Sequence, residues 1–529
     1  MTDPRSSVYT IGGRALSRRA LLRTGAGAAA ALLLQRAVGG LGVASAASAT
    51  GPSTTVAPYL FPAIDGVGIT AILSVRDKKA ENGYAMVGIP DGLGLIPGGD
   101  RFTLVMTHEL GDTVGVARSH GSKGAFVSRW TIDTKTLRVI EGADLTGGSN
   151  KVFSWDVDAR AYRAGTTTWN RFCSADLAAP EAFLNGTKGT SARLFLTGEE
   201  ANGGRGWAHI VTGPNAGESW QLPRMGRSAF ENLVASPFSK DKTIVVGLDD
   251  GSVNTAPTAA NNPCELFVYI GMKQDAGNDI ERAGLTNGKL YGVRLPLGGG
   301  KYITEESNAN ALGDTAYGAS ARFEIVPLGP DGDVSAMSGA QLEDDAIAKN
   351  VLRMQRIEDG AWDPRPAKKN DFYFVTTGSP TQNSRLWRLS FDDLDAPERG
   401  GTLTALLKGD EGQMMLDNLC IDALGRIVLQ EDPGNVARVA KVWVYGIDSK
   451  KFIEVARHDR GYFDPMFTGQ KWFKTQDEES SGVIDASAAL GAGWFLLTVQ
   501  SHNNISATDP DLAEEGQLLA MYLPTTIGV

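Results

Sequence analysis

Leu416-Asp417-Asn418-Leu419-Cys420-Ile421-Asp422, then Gly425-Arg426-Ile427-Val428-Leu429-Gln430-Glu431-Asp432, then Val442-Trp443-Val444-Tyr445-Gly446-Ile447-Asp448 are three short runs joined by turns. Each is rich in β-branched and aromatic residues, and each stops at a polar or acidic residue, which is the pattern of consecutive antiparallel strands. The same pairing of an acid-ended strand with an aromatic one recurs along the chain. Acid- or polar-ended strands finish as Leu104-Val105-Met106-Thr107-His108-Glu109, Leu194-Phe195-Leu196-Thr197-Gly198-Glu199-Glu200 and Ile244-Val245-Val246-Gly247-Leu248-Asp249-Asp250. Two more are Phe372-Tyr373-Phe374-Val375-Thr376-Thr377 and Phe495-Leu496-Leu497-Thr498-Val499-Gln500-Ser501-His502. Aromatic or Leu-rich partners follow at Val127–Asp133, Trp207–Val211, Leu266–Ile270, Leu386–Phe391 and Leu518–Leu523. Six such units predict an all-β chain, a six-bladed β-propeller, with a β-sandwich pair as the alternative. The spacing between units is irregular and long, so insertions are expected to decorate the rims.

Some units are preceded by a further strand of one design. Phe230-Glu231-Asn232-Leu233-Val234, Ile357-Glu358-Asp359-Gly360-Ala361-Trp362, Leu416-Asp417-Asn418-Leu419 and Ser481-Gly482-Val483-Ile484-Asp485 occupy matching places. In a propeller the innermost strands line the central channel, so equivalent positions face one another. Glu231, Glu358 and Asp417 are then brought together. Glu109, Glu199, Glu200, Asp249, Asp250, Glu431 and Asp432 lie at the ends of the next strands, also in register. Crowded carboxylates raise one another's pKa unless cations intervene. Oxygen-rich clusters are what calcium and other hard cations require. Read singly, each acid is equally a solvated turn residue.

Three cysteines, Cys173, Cys264 and Cys420, are too few and too scattered for a disulfide scaffold, although one disulfide is allowed. Cys173, in Trp169-Asn170-Arg171-Phe172-Cys173, reads either as a small buried hydrophobe or as a thiolate ligand that favours iron or zinc. Cys420 alternates with Leu419 and Ile421 and reads as core, as does Cys264.

The N-terminus is a different kind of segment. Ser17-Arg18-Arg19-Ala20-Leu21-Leu22 followed by the apolar Ala26–Leu34 has the layout of a twin-arginine export signal. Ala44-Ser45-Ala46 and Ala47-Ser48-Ala49 are both cleavage candidates. The expected division is therefore residues 1–49 as leader and cleavage region, and 50–529 as one decorated propeller domain. The apolar run is too short to span a bilayer, and processing leaves no membrane span. About 480 residues remain, ample for a large core. The twin-arginine machinery is the implied export partner, with a periplasmic or extracellular destination. A net charge of −10 over 529 residues argues against a nonspecific nucleic-acid binder, which needs a basic face. No Gly-x-Ser-x-Gly elbow, Walker A loop or dinucleotide fingerprint occurs.

With these residues in place, the chain resembles the PhoX-type alkaline phosphatases over most of its length after the leader. Thr107-His108-Glu109 is similar to that family's Asn-His-Glu, and Cys173 falls at its iron-ligand cysteine. Thr197-Gly198-Glu199-Glu200 is similar to the acidic pair that follows. Gly226-Arg227 leading to Glu231 resembles the Gly-Arg-Phe-x-His-Glu segment, with Phe230 in place of His. Arg356-Ile357-Glu358 resembles Arg-Pro-Glu without its Pro. Asp417-Asn418, Gly425-Arg426 and Glu431-Asp432 resemble the Asp-Asn and later acidic motifs. The Thr-Pro-Trp-Gly-Thr run after the family's cysteine is absent, marking a divergent branch.

The resemblance implies a six-bladed propeller exported by the twin-arginine route, with iron and calcium at the channel mouth. It implies metal-assisted hydrolysis of a small phosphomonoester. Cys173, Glu231, Glu358, Asp417 and Glu199 or Glu200 would be ligands, Glu109, Glu431 and Asp432 further site residues, and Arg356 the phosphate contact. Two other readings stay open. One is a non-catalytic, calcium-stabilised propeller that binds a partner or carbohydrate, and the other a related hydrolase of phosphodiesters or lactones.

Overall fold

Alternating apolar side chains of strands such as Lys441–Gly446 need cover on both faces, because neighbouring sheets stand against each. Lys441–Gly446 pairs with Arg426–Glu431 on one edge and Phe452–His458 on the other. A computed structural model describes residues 9–11, 14–16, 47–252, 263–306, 312 and 320–529. They are mostly β-strand, arranged as in a propeller.

Antiparallel runs start from short inner strands, labelled here β1 (Pro90–Ile96), β2 (Ala175–Leu177), β3 (Phe230–Ala235), β4 (Ile357–Trp362), β5 (Leu416–Ile421) and β6 (Glu478–Asp485). From β1 the sheet continues outward through Arg101–His108, Phe126–Asp133 and Val139–Asp144. From β2 it continues through Leu194–Gly198, Gly206–Ile210 and Ser219–Gln221 to the parallel-paired Val152–Asp156. The runs from β3 and β4 merge into one sheet, because their outer strands Ser320–Pro327 and Gly401–Ala405 pair. Each inner strand packs beside the next, β1 to β2 and onward to β6, and β6 packs against β1 again. That closed ring leaves no inner edge to solvent, and it is not a sandwich.

The ring is closed by residues from both ends of the chain. Gly68–Ser74 adds to the sheet of β6 beside Glu514–Tyr522, and Leu60–Pro62 adds to the sheet of β5 beside Phe452–His458. Ala47–Thr50 pairs in parallel with Gly68–Ala71, so part of the stretch read as a cleavage region belongs to a sheet. The twin-arginine stretch, the apolar run and Ala44-Ser45-Ala46 lie outside the described residues. Among the described residues no helix is long and apolar enough to cross a membrane. Apolar clusters fill the gaps between neighbouring sheets. One joins Phe102, Leu104 and Trp130 to Leu496, Leu518 and Ala520, welding the first sheet to the last. The expected insertions are present, the longest lying between β3 and β4 and carrying the helix Gly339–Ala348. All three cysteines are buried and free, so the disulfide that the sequence allowed does not form.

Inner strands approach closely because glycine stands where they touch. A Cβ on Gly482 of β6 would lie 2.3 Å from the Asp91 carbonyl oxygen of β1. One on Gly92 of β1 would lie 2.4 Å from the Ala175 nitrogen of β2. Backbone cannot yield as a flexible side chain does. Gly482→Ala is therefore expected to destabilise the protein by about 1–3 kcal/mol. Denaturant unfolding measures this, and an unchanged midpoint would show that the two strands are not held at this distance.

Candidate metal centre

One hydrogen bond recurs around the ring. The carbonyl oxygen of the residue two places before a channel-facing side chain accepts from the N–H of the residue at the end of the following strand. The bonds are Ile89 from Glu109 at 2.9 Å, Arg171 from Glu200 at 2.9 Å, and Ala229 from Asp250 at 2.9 Å. Continuing round, Arg356 accepts from Thr377 at 2.8 Å, Met415 from Asp432 at 2.9 Å and Asp477 from His502 at 3.1 Å. Two residues after each acceptor come Asp91, Cys173, Glu231, Glu358, Asp417 and Glu479. Cys173 is thus the counterpart of the acids, just ahead of β2.

Local backbone geometry turns these side chains inward. Pairing with the neighbouring strand shifts between Pro90 and Leu93, Phe230 and Asn232, Ile357 and Gly360, and Leu416 and Leu419. Asp91, Glu231, Glu358 and Asp417 fall inside those bulges, which re-aim a residue away from the ladder. Of the residues two places before the inward-facing side chains, Ile89 (φ 48°), Arg171 (φ 45°), Arg356 (φ 59°) and Met415 (φ 47°) are held in left-handed conformation. Such non-glycine conformations cost about 1–3 kcal/mol each and concentrate at functional sites.

Along the second strands, the two-residue period separates adjacent acids. Glu200, Asp250 and Asp432 face the channel, and their predecessors point back into the sheets. Glu199 is taken up by Arg205, with Nε and Nη2 each 2.6 Å from its carboxylate oxygens, and it also accepts from the Arg205 N–H. Glu431 accepts from Trp443 Nε1 at 2.8 Å, Met414 N and Lys441 N at 3.0 Å, and from Arg438. Asp249 accepts from Ser228 Oγ at 2.6 Å and Glu265 N at 3.2 Å. Of the residues expected at the site, Glu199 and Glu431 therefore stand behind the channel wall, held by protein donors.

What the channel mouth assembles is a run of adjoining groups, each with ligand atoms within 4.8 Å of one another. They are Asp91–Glu109–Cys173, Cys173–Glu200–Glu231, Glu231–Glu358–Asp417 and Asp417–Asp432–Glu479. Successive groups share Cys173, Glu231 and Asp417, so neighbouring positions are bridged. Cys173, Glu200, Glu231, Glu358, Asp417, Glu109 and Asp432 are brought together here. Asp91 and Glu479 were not singled out from the sequence. Each is the second residue of an inner strand, as are Glu231, Glu358 and Asp417, so the register of those three was the signal that could have found them.

Cations within this centre are few. Arg171 holds Glu109 with Nε at 2.9 Å and Nη2 at 2.8 Å from Oε1, and it also pairs with Glu200. Arg356 pairs with Asp250 at 2.9 Å and with Glu358 at 2.9 Å. His502 reaches Glu514 through Nδ1 at 2.8 Å and Glu479 through Nε2 at 3.4 Å. The Gln500 amide nitrogen bridges Asp91 and Glu109, each at 3.0 Å. Burial, then neighbouring carboxylates, pushes Asp91, Glu231, Glu358 and Asp417 far above the usual carboxylate range. Burial raises Glu200 to about 8, and burial with Glu479 raises Asp432 to about 7. The Cys173 thiol is pushed up by burial and by Glu109, and it donates to Glu200 Oε2 at 2.8 Å. Glu109 goes the other way: burial opposes it, and Arg171 and Gln500 outweigh burial.

This donor set fits cations. Without them burial favours the protonated acids, and Cys173, Glu231 and Asp417 each belong to two adjoining groups. The all-oxygen groups suit hard cations, and the Cys173 groups suit a thiophilic one. Next along the inner strands is a pocket of about 360 Å³ lined by Leu93, Val234, Trp362 and Ile421 together with Asp359 and Asn232. Asn232 Nδ2 donates to Asp359 Oδ1 at 2.6 Å, so the residue after each of Glu231 and Glu358 is bonded away from the acidic mouth.

No known family model matches the chain, and no curated protein matches it in sequence. Among solved structures it is similar to Pseudomonas fluorescens PhoX in complex with vanadate, a transition-state analogue. That match has a TM-score of 0.59 at 12% identity and covers 91% of this chain and 98% of that one. The β-propeller domain of Myceliophteria thermophila Cps50 (Swd1) matches with a TM-score of 0.31 at 8% identity, over 82% and 97%. Trypanosoma rangeli sialidase in complex with sialic acid matches with a TM-score of 0.33 at 8% identity, over 87% and 59%. At such identities the likeness to PhoX shows a shared propeller-like fold.

Raised carboxylate pKa values set the sign of a pH effect. Between the unfolded values near 4 and the folded values of Glu200 and Asp432 near 8 and 7, the native state holds more protons than the unfolded chain. Metal-free protein is thus fully stabilised by these groups below about pH 4 and loses that contribution as pH rises through about 7 to 8. Thermal unfolding of chelator-treated protein between pH 7 and pH 8.5, above the range in which the buried neutral His108, His209 and His458 act in the opposite sense, should show a falling midpoint, and added calcium should flatten or reverse the fall. A midpoint that rises with pH in the metal-free protein would mean the acids are ionised without cations.

Proposed function

We propose that the chain is an exported, metal-dependent hydrolase of phosphomonoesters on a six-bladed propeller. The blade count follows from taking the merged sheet of β3 and β4 as two blades, one for each inner strand. The observation that carries the functional reading is the bridged run of ligand groups, with Arg356 seated on Asp250 and Glu358 at its edge. Calcium suits the oxygen-only groups, and the Cys173 groups suit iron or zinc, of which the resemblance to the PhoX-type phosphatases implies iron. When bound, they supply charge neutralisation and an acidified water.

The chain's own residues do the rest. Cys173, Glu200, Glu231, Glu358, Asp417, Asp432, Glu479, Asp91 and Glu109 would hold the cations. Gln500 spaces Asp91 from Glu109. Arg356 presents a planar fork that matches two oxygens of a phosphoryl group. Its ion pair to Glu358 keeps the guanidinium aimed at the mouth. Glu199 and Glu431 act as wall posts, fixing Arg205 and the Trp443 indole. The fold shared with a phosphatase held with vanadate favours phosphoryl chemistry over the other hydrolytic readings.

Elemental analysis of the mature protein, joined to a panel of phosphomonoester, phosphodiester and lactone substrates, tests this. Stoichiometric calcium and iron with monoester turnover is the expected result. Arg356→Ala should lower monoester kcat/KM by about a hundredfold or more, with metal content and fold retained. Calcium alone without turnover would leave a binding propeller, and turnover unchanged by Arg356→Ala would remove that residue from the mechanism.

Export by the twin-arginine route to the periplasm or beyond rests on Ser17–Leu22. The strand Ala47–Thr50 favours cleavage after Ala46 over cleavage after Ala49, because the later cut would remove the residues paired with Gly68–Thr70. N-terminal sequencing of exported protein should begin at Ala47. A start at Thr50 would show that this strand is dispensable.

A further inference from the structure

The position two residues ahead of each channel-facing ligand is occupied by Ile89, Arg171, Ala229, Arg356, Met415 and Asp477. Arginine holds this position in two of the six places, in the repeats on either side of Ala229. The two arginines are equivalent in detail. Each lies in left-handed backbone, at φ 45° and 59°. Each gives its carbonyl to the end of the next strand and reaches the second-strand acid of the preceding repeat, Glu109 for Arg171 and Asp250 for Arg356. Each also holds one acid of its own repeat, Glu200 for Arg171 and Glu358 for Arg356. Neither uses Nη1 in these pairs, and the Arg171 side chain is 46% exposed against 28% for Arg356. Between them Ala229 contributes only a methyl group.

We propose that Arg171 is a second anion-binding residue, forming with Arg356 a two-armed clamp that grips a dianionic phosphoryl group across the Ala229 position. This rests on the hydrolase reading and adds its specificity. Each guanidinium sits on carboxylates that a cation would use. With cations bound, those carboxylates would be taken up as ligands and the guanidinium edges of Arg171 and Arg356 would be open to an incoming anion. Two planar forks, one from each repeat flanking Ala229, suit the three terminal oxygens of a monoester better than the two unesterified oxygens of a diester. The competing role for Arg171 is a counter-ion that only balances Glu109 and Glu200.

Inorganic phosphate is the probe, titrated calorimetrically into the metal-loaded mature protein and its Arg171→Gln, Arg171→Lys and Arg356→Gln variants, each checked for metal content. Arg171→Gln should weaken phosphate binding about ten- to a hundredfold with bound metal unchanged. Arg171→Lys should recover part of it, because a point charge replaces a fork. The monoester-over-diester preference in kcat/KM should shrink in Arg171→Gln. Phosphate affinity unchanged in Arg171→Gln, metal lost from both Arg171 variants, or a wild type that binds no phosphate would each overturn the clamp. A wild type that binds phosphate through Arg171 yet hydrolyses no monoester would overturn the hydrolase reading and leave the clamp standing.

Discussion

Carboxylates brought within 4.8 Å of one another in a buried channel repel, and the arrangement around them is organised to meet that cost. Asp91, Glu109, Glu200, Glu231, Asp250, Glu358, Asp417, Asp432 and Glu479 converge on one mouth. Among the described residues, Arg171, Arg356 and His502 stand beside them as cations. Burial and the neighbouring carboxylates push Glu231, Glu358 and Asp417 toward their protonated forms. Cations that bridge adjoining groups through Cys173, Glu231 and Asp417 would replace those protons.

Such convergence is possible only on a rigid frame. The closed ring of β1 to β6, welded between sheets by apolar clusters, prevents the acids from moving apart. Glycines at 92 and 482 let the inner strands come close enough for their acids to meet. The recurring carbonyl bond, from Ile89–Glu109 round to Asp477–His502, sets each pair of side chains at the same height. Strain at Arg171 and Arg356 is tolerated because that bond and the ion pairs fix both residues from two directions.

Much of this was legible from the residues. Repeated strand pairs gave the β class, and Glu231, Glu358 and Asp417 were aligned by the register of three similar strands. Other members were hidden for identifiable reasons. β2 is three residues long and carries no aromatic or β-branched run, so Cys173 could not be matched to the acids by pattern. β1 begins Pro90-Asp91-Gly92, which reads as a turn, and Asp91 was masked with it.

By itself, the sequence determined that strands alternate with acid-ended turns and that the acids recur at matching positions. These follow from local periodicity, which the chain carries without any partner. Only the tertiary structure decided which acid of each pair faces the channel. Glu199-Glu200 and Glu431-Asp432 are alike as text, and a one-residue change of phase exchanges their roles. Arg205 and the group of Arg438, Trp443 and Lys441 claim Glu199 and Glu431, leaving Glu200 and Asp432 to the centre. Those claims act across single hairpins, from residues six to twelve positions away; what no local spacing encodes is the closure of the six inner strands, which brings Glu200 and Asp432 to one mouth.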